Sequence, residues 1–146
     1  MRHMMVSFHR ILQVYSEDKG FFGAVGMFSI FEALVQDRLG CSNGLKEAAE
    51  ILNSKGDENI KERFSNLRLA INVLKHGKGE SYRKLLNRST ALPFKIKQPN
   101  ENFFNEGDVS EVSTLIEVDD DFVMNCAKTI RDVSDVIHRA RPKFIA

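Results

Sequence analysis

Apolar residues recur at helical spacing along most of this chain. Over residues 4–16, Met4, Met5, Phe8, Ile11, Leu12 and Tyr15 share one face, and the polar stretch 16–20 ends the segment. Residues 20–39 are the most apolar part: Phe21, Phe22, Val25, Phe28, Phe31 and Val35 lie among other large side chains, with Glu32 inside the run. A helix apolar on most of its circumference belongs at the centre of a bundle or at a dimer interface. The loop Gly40-Cys-Ser-Asn-Gly44 follows, then a short helix over 45–55. Asp57 is placed to cap the next helix, residues 58–76, which is the best amphipathic element: Phe64, Leu67, Ile71 and Leu74 face one way, and Arg68, Asn72 and His76 stack at i, i+4 and i+8 on the polar side. Gly77-Lys-Gly79 stops it, and residues 80–88 form a short basic helix.

Beyond Leu92-Pro93 the period changes. Residues 94–97 and 112–118 alternate, which predicts two short strands, with Phe103 and Phe104 pinning the polar loop between them. Asp119, Asp120 and Asp121 then open a last helix to about residue 140, whose inward positions include Cys126 as a small hydrophobe. The expected fold is mainly α, a four- to five-helix bundle with a small two-stranded β element in the C-terminal half. The whole chain, 1–146, is read as a single domain with a β insertion at about 92–118.

Charge changes this picture more than composition does. The sequence has 146 residues, is 42% hydrophobic and 28% charged, and sums to +1; these are ordinary globular values. The charges are segregated, however. Residues 61–97 hold ten basic side chains against Glu62 and Glu80, whereas 98–127 contain no Lys or Arg. A basic block attracts phosphates; an acidic block can also pair with it, within the chain or across subunits. Two cysteines, Cys41 and Cys126, make neither a disulfide framework nor a metal motif. No apolar run is long enough for a membrane span, and no secretory leader opens the sequence, so a cytoplasmic protein without membrane attachment is expected. Neither a metal nor a cofactor is expected: no HExxH, Walker or nucleophile-elbow pattern occurs.

Chemistry concentrates in Arg68-Leu-Ala-Ile-Asn72-Val-Leu-Lys75-His76-Gly. A histidine in the last turn of a helix, with Arg and Lys beside it, has the groups that metal-free RNA cleavage needs. One moves the proton of a ribose 2′-hydroxyl, and the cations stabilise charge building on the phosphate. The bland alternative is a helix-terminal His on a solvated basic face.

A helical protein with Asn72-x-x-Lys75-His76-Gly77 closing its longest amphipathic helix resembles the HEPN superfamily (higher eukaryotes and prokaryotes nucleotide-binding), and in particular bacterial HEPN-like proteins. That family's pattern is an Arg, a polar residue, four to six residues, then His. Here His76 matches the histidine and Asn72 the polar residue. Ile71 stands where the arginine is expected, and Arg68 lies one turn earlier on the same face. Glu32 resembles the acidic residue of the preceding core helix. The resemblance covers about residues 20–88. It implies a dimeric helical bundle that binds RNA and, in catalytic members, cleaves it without metal in defence, stress or toxin–antitoxin systems. By that carry-over His76 is the acid/base, Arg68 and Lys75 stabilise the phosphate, and Asn72 orients. Lys78, Arg83, Lys84 and Arg88 are the expected RNA-binding residues. The partners expected are a second copy of the chain and RNA. The alternative, from a different class, is a non-catalytic helical interaction domain, dimeric, that docks an acidic protein partner.

Overall fold

The helix over Phe21–Leu39 begins where the chain becomes almost wholly apolar and stops at Gly40, whose φ of +66° is the left-handed conformation that favours glycine. The computed structural model describes residues 10, 12–15, 17, 20–101, 104–105 and 113–144; of 104, 105, 113 and 114 only the backbone is described. Residues 12–15 are helical. Among the described residues five longer helices follow: α1 (Phe21–Leu39), α2 (Gly44–Lys55), α3 (Glu58–His76), α4 (Glu80–Leu86) and α5 (Asp120–Ala140), with a 3₁₀ turn at Ser89–Ala91. The protein is thus a mainly helical bundle. α1, α2, α3 and α5 all pack on one another, while α4 lies against α3.

Local chemistry sets the helix ends. Asn43 Oδ1 accepts from Lys46 N at 3.1 Å, Asp57 Oδ1 from Ile60 N at 2.8 Å, and Asp119 Oδ1 from Phe122 N at 2.8 Å. Of the three consecutive aspartates Asp119 is therefore the cap, and Asp120 and Asp121 lie in the first turn of α5. At Gly44 a Cβ would fall on the carbonyl oxygen of Glu32, so glycine there lets α2 start directly against α1. The core is aromatic at its centre. The Phe64 ring of α3 stacks with Phe28 at 6.3 Å and meets Phe31 edge-on at 6.3 Å, both from α1, and all three are at most 1% exposed.

Residues 94–97 and 112–118 do not pair with each other as the expected two-stranded element; within 112–118 Ser113–Thr114 is a strand, but it pairs elsewhere. Ile96 and Ile116 meet in one isolated antiparallel bridge, flanked by Lys97 N to Leu115 O (2.8 Å) and Glu117 N to Lys95 O (3.0 Å). Both isoleucines are buried in the helical core. Their burial against helices, with no further strand beside them, accounts for the alternation. Phe104–Asn105 pairs antiparallel with Ser113–Thr114, two residues a side. The expected anchoring by Phe103 and Phe104 lies outside the described side chains, as does most of the expected helix at 4–16. Cys126 is fully buried on α5, and burial pushes its thiol far up from the ordinary range.

α3 and α5 are also tied by ions. Arg63 Nη2 donates to Asp132 Oδ2 at 2.9 Å, and Lys128 Nζ to the same oxygen at 3.1 Å. Partial burial raises the Asp132 carboxyl, but the hydrogen bonds and charges of Lys128 and Arg63 outweigh it and hold the group below its ordinary value. A carboxylate with a depressed folded value stabilises the fold above its unfolded value, about 3.9. That contribution is lost as pH falls through the folded value. Asp132→Asn is expected to lower stability at about pH 7, and the two proteins should converge near pH 2. Urea unfolding across that range checks this.

Candidate functional site

Gly77 shapes a basic cleft on the surface. Its N–H closes α3 onto Val73 O at 2.7 Å, and its φ of +77° turns the chain back through Lys78-Gly79 into α4. Tyr82 and Leu85 of α4 are buried, which lays α4 along α3. Tyr82 Oη donates to Lys97 O at 2.5 Å and ties α4 to the segment after it. Between α3, α4 and the second half of α2 runs a cleft of about 480 Å³.

Four cations line this cleft: Lys61 and Arg68 from α3, Lys84 from α4, and Arg88 just beyond it. Asn53, Ser65, Asn72 and Ser81 supply neutral polar groups, and the buried Phe64 lies in its wall. Two of the cations have carboxylate partners, Lys84 with Glu80 at 3.3 Å and Lys61 with Glu58 at 2.8 Å. These are surface pairs within one or two helical turns, each worth about 0–1 kcal/mol, so an incoming anion can compete with them. Arg88 is fixed differently: its Nη1 donates to Ser65 Oγ at 3.1 Å and Asn66 Oδ1 at 2.9 Å. Arg68 is half-buried in the cleft, and among the described residues it has no ion-pair partner; Glu32 on α1 does not reach it.

The structure therefore gathers Arg68, Asn72, Lys84 and Arg88 from the residues expected on sequence grounds. His76, Lys75, Lys78 and Arg83 are exposed and do not line the cleft. His76 shares a polar stripe with Arg68 and Asn72, but two turns of helix carry it about 12 Å along the axis from Arg68. It stands at the last residue of α3, immediately before the Gly77 turn.

No family model, no curated protein and no solved structure matches this chain.

Sequence reading missed Lys61, Asn53 and Ser81. The signal for Lys61 was present: residues 61, 65, 68 and 72 fall at i, i+4, i+7 and i+11, one continuous face of α3. Asn53 and Ser81 enter only through the packing of α2 and α4. Among the described residues, no group of three or more His, Cys, Asp or Glu side chains is placed to hold a metal, and no helix is long and apolar enough to cross a membrane.

Arg88→Met keeps the stem and removes both hydrogen bonds. It strands the acceptor of Asn66, a residue only 5% exposed. A loss of about 1–3 kcal/mol is expected in denaturant unfolding, with unchanged helical circular dichroism.

Proposed function

We propose that the protein is a HEPN-like RNA-binding protein that takes the sugar–phosphate backbone of a single strand in the cleft between α3 and α4. The observation that carries this is the convergence of Lys61, Arg68, Lys84 and Arg88, with Asn72 and Ser81 between them, on one cleft where, among the described residues, Glu80 is the single carboxylate. Cations with interspersed amides and hydroxyls are the groups that neutralise and hydrogen-bond phosphate oxygens. Lys78 and Arg83, exposed beside the turn and on α4, extend the positive surface.

The test is charge reversal read against salt. Binding of a fluorescent oligoribonucleotide to the wild type should weaken with salt at a log–log slope of about −0.7 for each phosphate contact. Lys61→Glu with Lys84→Glu should reduce both the affinity and the slope. Unchanged affinity in that double variant removes the cleft from RNA binding.

Cleavage is the finer part of the proposal. His76 moves the proton of the 2′-hydroxyl and Lys75 beside it stabilises the scissile phosphate, while Arg68 and Asn72 hold a neighbouring phosphate of the same strand in the cleft. The 2′-oxygen bonds to phosphorus, the 5′-oxygen leaves with a proton, and a 2′,3′-cyclic phosphate remains. His76→Ala is expected to slow cleavage by about 10² to 10⁴ without unfolding, since the side chain is exposed. Chelator should have no effect and DNA should be inert. Equal cleavage by the variant ends the catalytic assignment.

One observation favours the second reading, a dimeric interaction domain: Phe22 on α1 is 73% exposed on a helix otherwise rich in buried aromatics. On that reading the basic cleft docks an acidic protein segment instead, and RNA fails to bind at low salt.

A further inference from the structure

A second cleft, also of about 480 Å³, opens on the adjoining face of α3, between α3, the segment after α4 and the start of α5. That volume is in the range of small-molecule sites. Three asparagines line it: Asn59 and Asn66 from α3 and Asn125 from α5. In each the amide oxygen is already engaged. Arg63 Nε donates to Asn59 Oδ1 at 2.9 Å, Arg88 Nη1 to Asn66 Oδ1 at 2.9 Å, and Thr129 Oγ1 to Asn125 Oδ1 at 3.3 Å. An arginine can only donate, so it fixes which end of each facing amide is oxygen. The NH₂ ends remain as donors. Glu62 and Asp121, both exposed, contribute carboxylates that only accept; among the described residues neither has an ion-pair partner. Among the described residues the cation in the wall is Arg63, and it is occupied by Asp132, Asn59 and Thr129. Phosphate is therefore disfavoured here, in contrast to the first cleft. Phe94, half-buried, completes the lining, its ring held edge-on to the buried Phe122 at 5.2 Å and 86°.

Amide donors, carboxylate acceptors and an aromatic ring match an unstacked nucleobase. The best match is guanine, whose O6 and N7 accept while N1–H and the 2-amino group donate to a carboxylate. The two clefts share a wall. Arg88 lines the basic cleft, and its bond to Asn66 reaches the second one. Arg88 uses only Nη1 in that bond, so its remaining donors face the requirement of a phosphate.

We propose that this second cleft binds a guanine base of the strand whose backbone lies in the α3–α4 cleft, with Arg88 at the junction. The inference rests on the RNA reading above, and the test separates the two. Affinity is measured for a short oligouridylate, for the same oligomer with one central guanosine or adenosine, and for guanosine alone by amide chemical-shift mapping. One guanosine is expected to tighten binding by roughly tenfold or more. The double variant Glu62→Gln with Asn125→Asp, which keeps shape and net charge while exchanging donors and acceptors, should erase that preference and leave oligouridylate affinity intact. Lys61→Glu with Lys84→Glu should weaken both oligomers alike. If both oligomers bind equally, or adenosine is preferred, the base site is overturned while the RNA reading stands. If guanosine shifts amides around Asn59, Asn66 and Asn125 but no oligomer binds, the base site stands and the strand reading falls. If neither guanosine nor any oligomer binds, both fall.

Discussion

The ring of Phe64 fixes the rotation of α3, and most of the surface follows from that rotation. Phe28 and Phe31 of α1 hold it from two directions. With Phe64 committed to the core, residues 61, 65, 68 and 72 must turn toward α4, and 59, 62 and 66 toward α5 and the segment after α4. A helix rotated by one residue, about 100°, would bury Ser65 in place of the ring and turn the polar arcs away from their clefts. Replacing so large a buried aromatic typically costs about 3–5 kcal/mol. The surface chemistry is thus anchored by an apolar contact that takes no part in it.

Arg88 converts two separate clefts into one candidate surface. Its guanidinium spends one nitrogen on Ser65 and Asn66 and so ties the end of α4 to the middle of α3. A lysine could not do this and still present a planar set of donors on the other side. The wider charge segregation matters less than the sequence suggests. Lys95 meets Glu117 at 4.0 Å with the lysine side chain 78% exposed, a pair worth little. By contrast, Arg63, from the basic block, is consumed structurally by Asp132, and its nearest use is to orient Asn59. Counting cations along the chain therefore overstates the positive surface, and their partners decide which of them remain for a ligand.

The helices were legible because their signals are local. Asp57 and Asp119 act on an N–H three residues away, Gly77 acts through its own φ, and the 58–76 pattern carries its period within one element. The strands were misread because alternation records burial on one side and does not record what lies there. Ile96 lies between two lysines and Ile116 between Leu115 and Glu117, yet both isoleucines are buried in the helical core. Half of the first cleft was legible on the same grounds, since Arg68 and Asn72 share a face. Lys61 shares that face too, about two turns before Arg68. The second cleft was not legible at all: Asn59, Asn66, Phe94 and Asn125 come from three elements, and single asparagines carry no pattern in one sequence.

The divergence of His76 from the cleft follows from the geometry of α3. A stripe at i, i+4 and i+8 drifts by about 40° each step, because four residues turn through about 400°. Arg68 and Asn72 differ by one such step and both reach the cleft. By His76 the drift has doubled and the helix has ended, and the exposed imidazole does not line the cleft. A ligand confined to the cleft meets Arg68 and Asn72 without His76. A strand running along the cleft and past the Gly77 turn meets all three in order, with the histidine at its exit. On the RNA reading proposed above, the separation distinguishes two kinds of ligand: a mononucleotide would occupy the cleft without engaging His76, whereas an oligomer several nucleotides long would place a phosphate at each.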